Sequence, residues 1–307
     1  PRAASVASVI ALPDADQTPE MLAGLASGII PGSQFARRLA EKGCEVLIPT
    51  IISRDDTYSG SAKLNRFTNQ PHREWIYRQA YEMGRHIIGF EVQKVLAAVD
   101  FLGRENATSD APARIGVIGY AEGGLLALYA AALDTRIRAI AVSGYFNSRE
   151  QLWSEPIYRN IFGLLGEFGD AELATLIAPR GLVIEHSVAP KIDGPPARRS
   201  GRGGAAPGKI ATPEYQSVEG EFNRAKTLLH SGGEKFLQNF RLVSGTGNVP
   251  TGPGSDALLA EFLQQLGAQG ASFTGSEEPL KPQAESLASG DRQREQVLQL
   301  VERVQGT

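Results

Sequence analysis

Several positions in this chain bring together residue types that can do acid–base or nucleophilic chemistry. Glu122 lies in Gly119-Tyr120-Ala121-Glu122-Gly123-Gly124, where a β-branched run meets a small-residue turn and then an apolar helical pattern. A carboxylate at the start of a helix gains about 0.3–1 kcal/mol from the helix dipole, which favours its anion. Glu185-His186 closes another β-branched run, and ligands of open α/β sheets bind beyond such strand ends. If Glu122 and Glu185 faced one cleft, they could act as acid and base on a glycosidic bond. The bland readings are a solvent-facing acid for Glu122, an ion pair with Arg180 or Arg149 for Glu185, and a satisfied strand-end imidazole for His186. His72-Arg73, after Pro71, either offers an imidazole base to a cleft or starts a helix. His186, His72, Glu185 and Glu122 are all types that zinc accepts, but no local spacing joins them, so no metal is assigned.

The elements that would position these groups alternate regularly. Strands are predicted at Ser5–Leu12, Cys44–Ile52, Arg114–Gly119, Ile137–Ser143, Gly181–His186 and Phe240–Ser244. Helical patterns fall at Gln34–Lys42, Arg85–Leu102, Gly123–Leu133, Pro213–His230 and Ser255–Leu266. This order predicts an α/β fold, a mostly parallel sheet with helices on both faces. Two insertions interrupt it, at 53–84 and 191–209. The first holds Tyr58, Asn65, Asn69 and a helix predicted over Arg73–Arg85, a polar and aromatic mixture suited to lining a cleft. The second is rich in Pro and Gly, which should prevent regular structure, and carries Arg198, Arg199 and Arg202. Tyr145 follows the strand after the turn, in an aromatic segment suited to a pocket roof, an interface or plain core packing.

The turn at 119–124 resembles the nucleophile elbow of the α/β-hydrolase superfamily, Gly-x-nucleophile-x-Gly. Its Gly-Tyr-x-x-Gly-Gly form is most similar to the dienelactone hydrolase and acetyl xylan esterase-like branch. The resemblance runs from about Ser5 to Leu266 and implies an α/β-hydrolase domain over 1–267; the polar run after Gly267 and the helical spacing of Val297, Leu300, Val301 and Val304 make 268–307 a linker and amphipathic C-terminal helix. It implies an oxyanion hole from the amides of Asp14 or Ala15 and of Glu122; Tyr120, Tyr58, Arg73, Tyr145 and Asn248 are the candidate substrate contacts. It also implies a small-molecule or carbohydrate ester as substrate and no cofactor. The departure is at the nucleophile position, where Ala121 stands and a methyl group cannot attack a carbonyl. The base should follow the last strand, yet 245–255 contains Asn248 and no His. Asp193 would be the ordinary acid. Three readings stay open: a pseudo-hydrolase that binds or braces, an unconventional hydrolase using Glu122, Glu185 and His72 or His186, and an engineered nucleophile-to-Ala esterase.

Composition narrows the partners. The 307 residues are 42% hydrophobic and carry 31 basic against 34 acidic side chains, a net charge of −3 with no global field to hold a nucleic-acid backbone or an anionic membrane. The longest apolar stretch, Gly124 to Leu133, is about half of the roughly 20 residues a spanning helix needs. Cys44 is the single cysteine, which excludes an internal disulfide. The chain opens Pro1-Arg2-Ala3, which reads as a processed or excised piece of something longer. That leaves the compartment open, secreted or periplasmic included, and leaves room for a neighbouring domain.

Overall fold

The computed structural model of this chain describes residues 5–105, 114–198, 201–233, 235, 237–268 and 289–305. Arg199, Pro1-Arg2-Ala3 and nearly all of the expected linker after Ala268 lie outside them. The strands are β1 (Ser8–Leu12), β2 (Glu45–Leu47), β3 (Gly60–Ser61), β4 (Arg66–Phe67), β5 (Ile115–Tyr120), β6 (Ile137–Ser143), β7 (Gly181–Glu185), β8 (Ile192–Gly194), β9 (Gly208–Ile210) and β10 (Phe240–Val243). The helices are α1 (Pro19–Leu22), α2 (Phe35–Glu41), α3 (His72–Glu82), α4 (Ile87–Glu105), α5 (Glu122–Leu133), α6 (Asp170–Thr175), α7 (Tyr215–Leu229), α8 (Asp256–Gln265) and α9 (Ser289–Gln305).

Six strands form one parallel sheet in the order β10-β7-β6-β5-β1-β2. β1, β5 and β7 are buried along their whole length, as strands covered on both faces must be. Side chains alternate between two apolar layers. Ile10, Leu12, Val117 and Ile140 face α4 and α5, whereas Val9, Ala11, Ile118 and Ala141 face α2 and α8. α5 is apolar all round because it lies inside the molecule.

Two predicted elements come out differently. β2 stops at Leu47 instead of reaching Ile52, because Pro49 has no N–H for a ladder. Beyond it, 50–53 runs without a strand partner and is held by side chains. The Ile52 amide donates to Glu91 Oε1 at 2.7 Å, Arg73 Nη1 donates to Ile52 O at 3.0 Å, and Lys94 Nζ donates to Thr50 O at 3.3 Å. The Gln293 amide of α9 takes the Ser53 N–H at 3.1 Å and gives to Ile51 O at 2.7 Å. The second correction concerns 191–209, which contains an antiparallel ribbon, β8 with β9, where Ile192 pairs Ile210. The short strands 192–194 and 208–210 flank the Pro- and Gly-rich stretch and leave it as their connection.

α9 rests on this body. Val297 and Val304 are buried, Arg292 pairs with Glu20 at 2.5 Å, and Gln296 accepts from Lys94 at 2.7 Å. Among the described residues no helix is long and apolar enough to cross a membrane.

Candidate functional site

β5 and α5 meet so closely at 119–124 that side chains are excluded. A Cβ on Gly119 would lie 2.0 Å from Gly123 O, and one on Gly123 would lie 2.3 Å from Leu12 O. The turn forces Ala121 to φ 48° and ψ −108°, a strained region for any residue with a Cβ. Its amide donates to Ser143 O at 2.9 Å, its carbonyl accepts the first bond of α5 from Leu125, and its methyl is wholly buried.

The amide of Glu122, which the resemblance assigns to the oxyanion hole, donates to Asp14 Oδ1 at 3.2 Å. Asp14 spends its own amide on Gln17 Oε1 at 3.1 Å. Ala15 is buried beside it. Arg54 locks this arrangement: Nη1 and Nη2 grip Asp14 at 2.6 and 2.9 Å, and reach Asp16 at 2.9 Å and Glu122 at 3.0 Å, while Nε donates to the Tyr158 hydroxyl at 3.1 Å. Such two-pronged guanidinium contacts are the geometrically specific kind.

Glu122 is therefore fully buried, and the solvent-facing reading fails. Its carboxylate sits among Arg159 at 2.8 Å, Arg54 at 3.0 Å and Arg73 at 3.6 Å. Burial pushes its pKa up, but Arg159, Arg73 and Arg54 together outweigh burial and hold it at about 2. It is an anion at neutral pH and has no proton to give a leaving group. Arg73 is also sealed in the interior, pairing with Glu91 at 2.8 Å.

Glu185 belongs to a different set of contacts. It accepts the Ser143 hydroxyl at 2.6 Å and the amides of Gly254 and Ser255 at 3.0 Å each, tying β6 to the start of α8. The expected arginine partners are engaged elsewhere: Arg180 on the carbonyls of Ala131, Asp134, Ile137 and Leu176, Arg149 on Glu155. Glu122 and Glu185 thus sit in separate hydrogen-bond sets. His186 donates from Nε2 to Pro213 O at 2.9 Å against the edge of Tyr215, and its buried Nδ1 has no hydrogen-bond partner among the described residues.

His72 comes nearest to a catalytic pairing. Its Nδ1 lies 2.9 Å from Ser53 Oγ, and its ring stacks on Tyr58 at 5.3 Å. The Tyr58 amide donates to Nε2 at 2.9 Å, so the lone pair is on Nε2 and the proton on Nδ1. That tautomer donates to Ser53 and cannot take its proton. Burial lowers the His72 pKa to about 4, which keeps the ring neutral. Among the described residues no three His, Cys, Asp or Glu side chains gather as a metal site, and the zinc grouping of His72, His186, Glu122 and Glu185 is not formed.

Tyr120 donates its hydroxyl to Val188 O at 3.0 Å, and burial raises its pKa. Tyr145 is buried, with its hydroxyl on Asp170 at 3.3 Å and Arg149 over its ring. Tyr58 reaches Gly290 O at 3.4 Å. Asn248, at φ 63°, is exposed in the loop after β10, where an imidazole base would be expected. Asp193 is exposed on β8 and paired with Lys209 at 3.5 Å. Arg54 and Arg159, which dominate the site, were not singled out by sequence. Their partners lie 38 to 104 positions away for Arg54 and 37 away for Glu122 with Arg159, so no local spacing marks these contacts.

Beside the elbow a cleft of about 290 Å³ opens between Asp16, Arg54, Ile157, Tyr158, Ile192 and Asp193. Its link to the elbow is Arg54, which lines the cleft and donates to Glu122, and Asp16 on its wall follows β1, beyond whose carboxyl end ligands of such sheets bind.

The sheet, the elbow and the cleft define an α/β-hydrolase fold. Residues 26–171 match the sequence model of the dienelactone hydrolase family, and in fold the chain resembles the dienelactone hydrolase and acetyl xylan esterase-like branch. A structure from Bacteroides fragilis described as an acetyl xylan esterase superposes with a TM-score of 0.54 at 13% identity, covering 80% of this chain and 60% of that one. This chain therefore spans less than two thirds of that protein. A carbohydrate esterase family 15 glucuronoyl esterase from Caldicellulosiruptor kristjansonii gives 0.48 at 16% identity, covering 91% and 73%. A glucuronoyl esterase from Solibacter usitatus gives 0.48 at 14%, covering 87% and 75%. No curated protein sequence matches the chain.

Proposed function

We propose that this domain is a pseudo-hydrolase that binds an ester- or carbohydrate-type small molecule in the cleft beside the elbow without forming an acyl-enzyme. The observation that carries the reading is the Asp14 carboxylate on the Glu122 amide, directly beside the Ala121 methyl. Acyl transfer needs a lone-pair donor at the elbow and unspent N–H groups where negative charge develops. Here the donor is replaced by hydrocarbon and the amide already serves an anion. Losing one such donor costs about 2.7–4 kcal/mol of transition-state stabilisation, and a carboxylate in its place adds repulsion.

The test is hydrolysis of 4-nitrophenyl acetate by the natural chain and by Ala121→Ser, alongside labelling with a fluorophosphonate. Neither protein should exceed the buffer rate or take the label, because restoring a hydroxyl supplies neither a base nor a free amide. Turnover by Ala121→Ser would favour the engineered-esterase reading. Turnover by the natural chain that Glu122→Gln abolishes, in protein whose circular dichroism shows it still folded, would establish a carboxylate route and overturn the proposal.

A further inference from the structure

We propose that the cleft beside the elbow takes a small monocationic ligand with an apolar body, held at Asp16. This rests on reading that cleft as the ligand site, and it specifies the chemistry the site selects. The walls supply the apolar part: Ile157, Ile192 and the Tyr158 ring face a space of about 290 Å³, close to the lower end of small-molecule pockets.

The charge follows from pairing. Glu74 on the wall is matched by Arg78 at 2.8 Å, and Asp193 by Lys209 at 3.5 Å. On the remaining side Asp14 and Asp16 both pair with Arg54, whose Nη2 is drawn to Glu122 as well. Arg73 and Arg159 lie behind, committed to Glu91, Glu122 and Glu155. One guanidinium thus serves three carboxylates, of which Asp16 alone lines the cleft. Asp14 is buried and gripped by both nitrogens, whereas the Asp16 side chain is 49% exposed and has a single contact to Arg54. Asp16 is the acid left over. Partial burial, with Asp14 and Glu122 nearby, raises its pKa against the lowering effect of Arg54. A ligand cation at Asp16 completes the pairing, whereas a carboxylate there adds a fourth anion beside Arg54.

Ligand-observed NMR titration with phenethylamine, phenethyl alcohol and phenylacetate keeps one apolar body and changes only the charge. The amine should bind about two- to fivefold more tightly than the alcohol, in line with a partly exposed ion pair, and phenylacetate more weakly than either. Asp16→Asn should make amine and alcohol equivalent without altering alcohol binding. In the natural chain, raising salt from about 20 mM to about 500 mM should weaken the amine alone. Preference for phenylacetate, or a salt-insensitive amine, would overturn the charge assignment while leaving the cleft as a ligand site. Binding by none of the three would overturn both the assignment and the ligand-site reading.

Discussion

At Glu122 a buried carboxylate faces three guanidinium groups, and its worth lies in what its removal would leave behind. Glu122→Gln takes away the anion but leaves Arg54, Arg73 and Arg159 inside the molecule. Breaking a buried pair in this way costs about 3–5 kcal/mol. Denaturant unfolding should therefore show a midpoint well below that of the natural chain with little change in slope, and an unchanged midpoint would show that the cage is not stabilising. Ala121 is the opposite case. A glycine there loses a buried methyl but relieves a strained backbone, whose cost is on the order of 1–3 kcal/mol. Ala121→Gly should be neutral within about 1 kcal/mol, whereas Ala127→Gly, inside α5 and equally buried, should cost about 1–2 kcal/mol. Equal losses at both positions, measured by thermal unfolding, would show that the elbow stores no strain.

Among the elements, the β5–α5 junction sets the tightest tolerance. Gly123→Ala would drive a methyl into the Leu12 carbonyl at 2.3 Å, and since both sides are backbone neither can rotate away. That variant should fail to accumulate as soluble protein. Gly220→Ala, in α7 with nothing within 4 Å of the added carbon, should stabilise by about 0.5–1 kcal/mol through helix propensity alone. The elements were largely legible from sequence because fully buried parallel strands read as apolar runs and the elbow glycines have a steric cause. β6 matches its predicted limits, and β7 and β10 differ by one residue. β2 was overextended because Ile48, Ile51 and Ile52 are apolar for packing, not for pairing. The β8–β9 ribbon was missed because three-residue strands have too little period to register.

For the whole molecule, the pH response follows from several buried groups. His72 and His86 are both held at about 4 by burial, below an ordinary 6.5. Between those values the unfolded chain binds more protons, so stability present above 6.5 is lost as pH falls towards 4. Glu122, lowered from 4.5 to about 2, contributes stability above 4.5 that is lost as pH falls through 2. Asp170 opposes them. Burial raises it from 3.8 to about 6, so its contribution is complete below 3.8 and is lost as pH rises through 6. Denaturant midpoints should thus fall from pH 7 to 4 less steeply than two histidines alone would give, then continue to fall below 4 as Glu122 is protonated. His72→Gln should flatten the upper part of the curve, and an unaltered slope in that variant would remove His72 as a source. None of this was legible in the sequence. Whether Glu122 is a free acid or a caged anion depends on Arg54 from the first insertion and Arg159 from the segment after β6, brought together only by the closed fold.

The stretch 50–53 has one further implication. A strand in a ladder depends on its neighbour, but this stretch hangs from Arg73, Glu91, Lys94 and Gln293 on α3, α4 and α9. Damage to any of them would be felt at the adjoining Arg54, so substitutions far apart in the chain should show epistasis. Gln293→Ala combined with Lys94→Ala should cost more than the two single changes added together, because each anchor limits the slack the other leaves. Simple additivity in a double-mutant cycle would mean that the four tethers act independently.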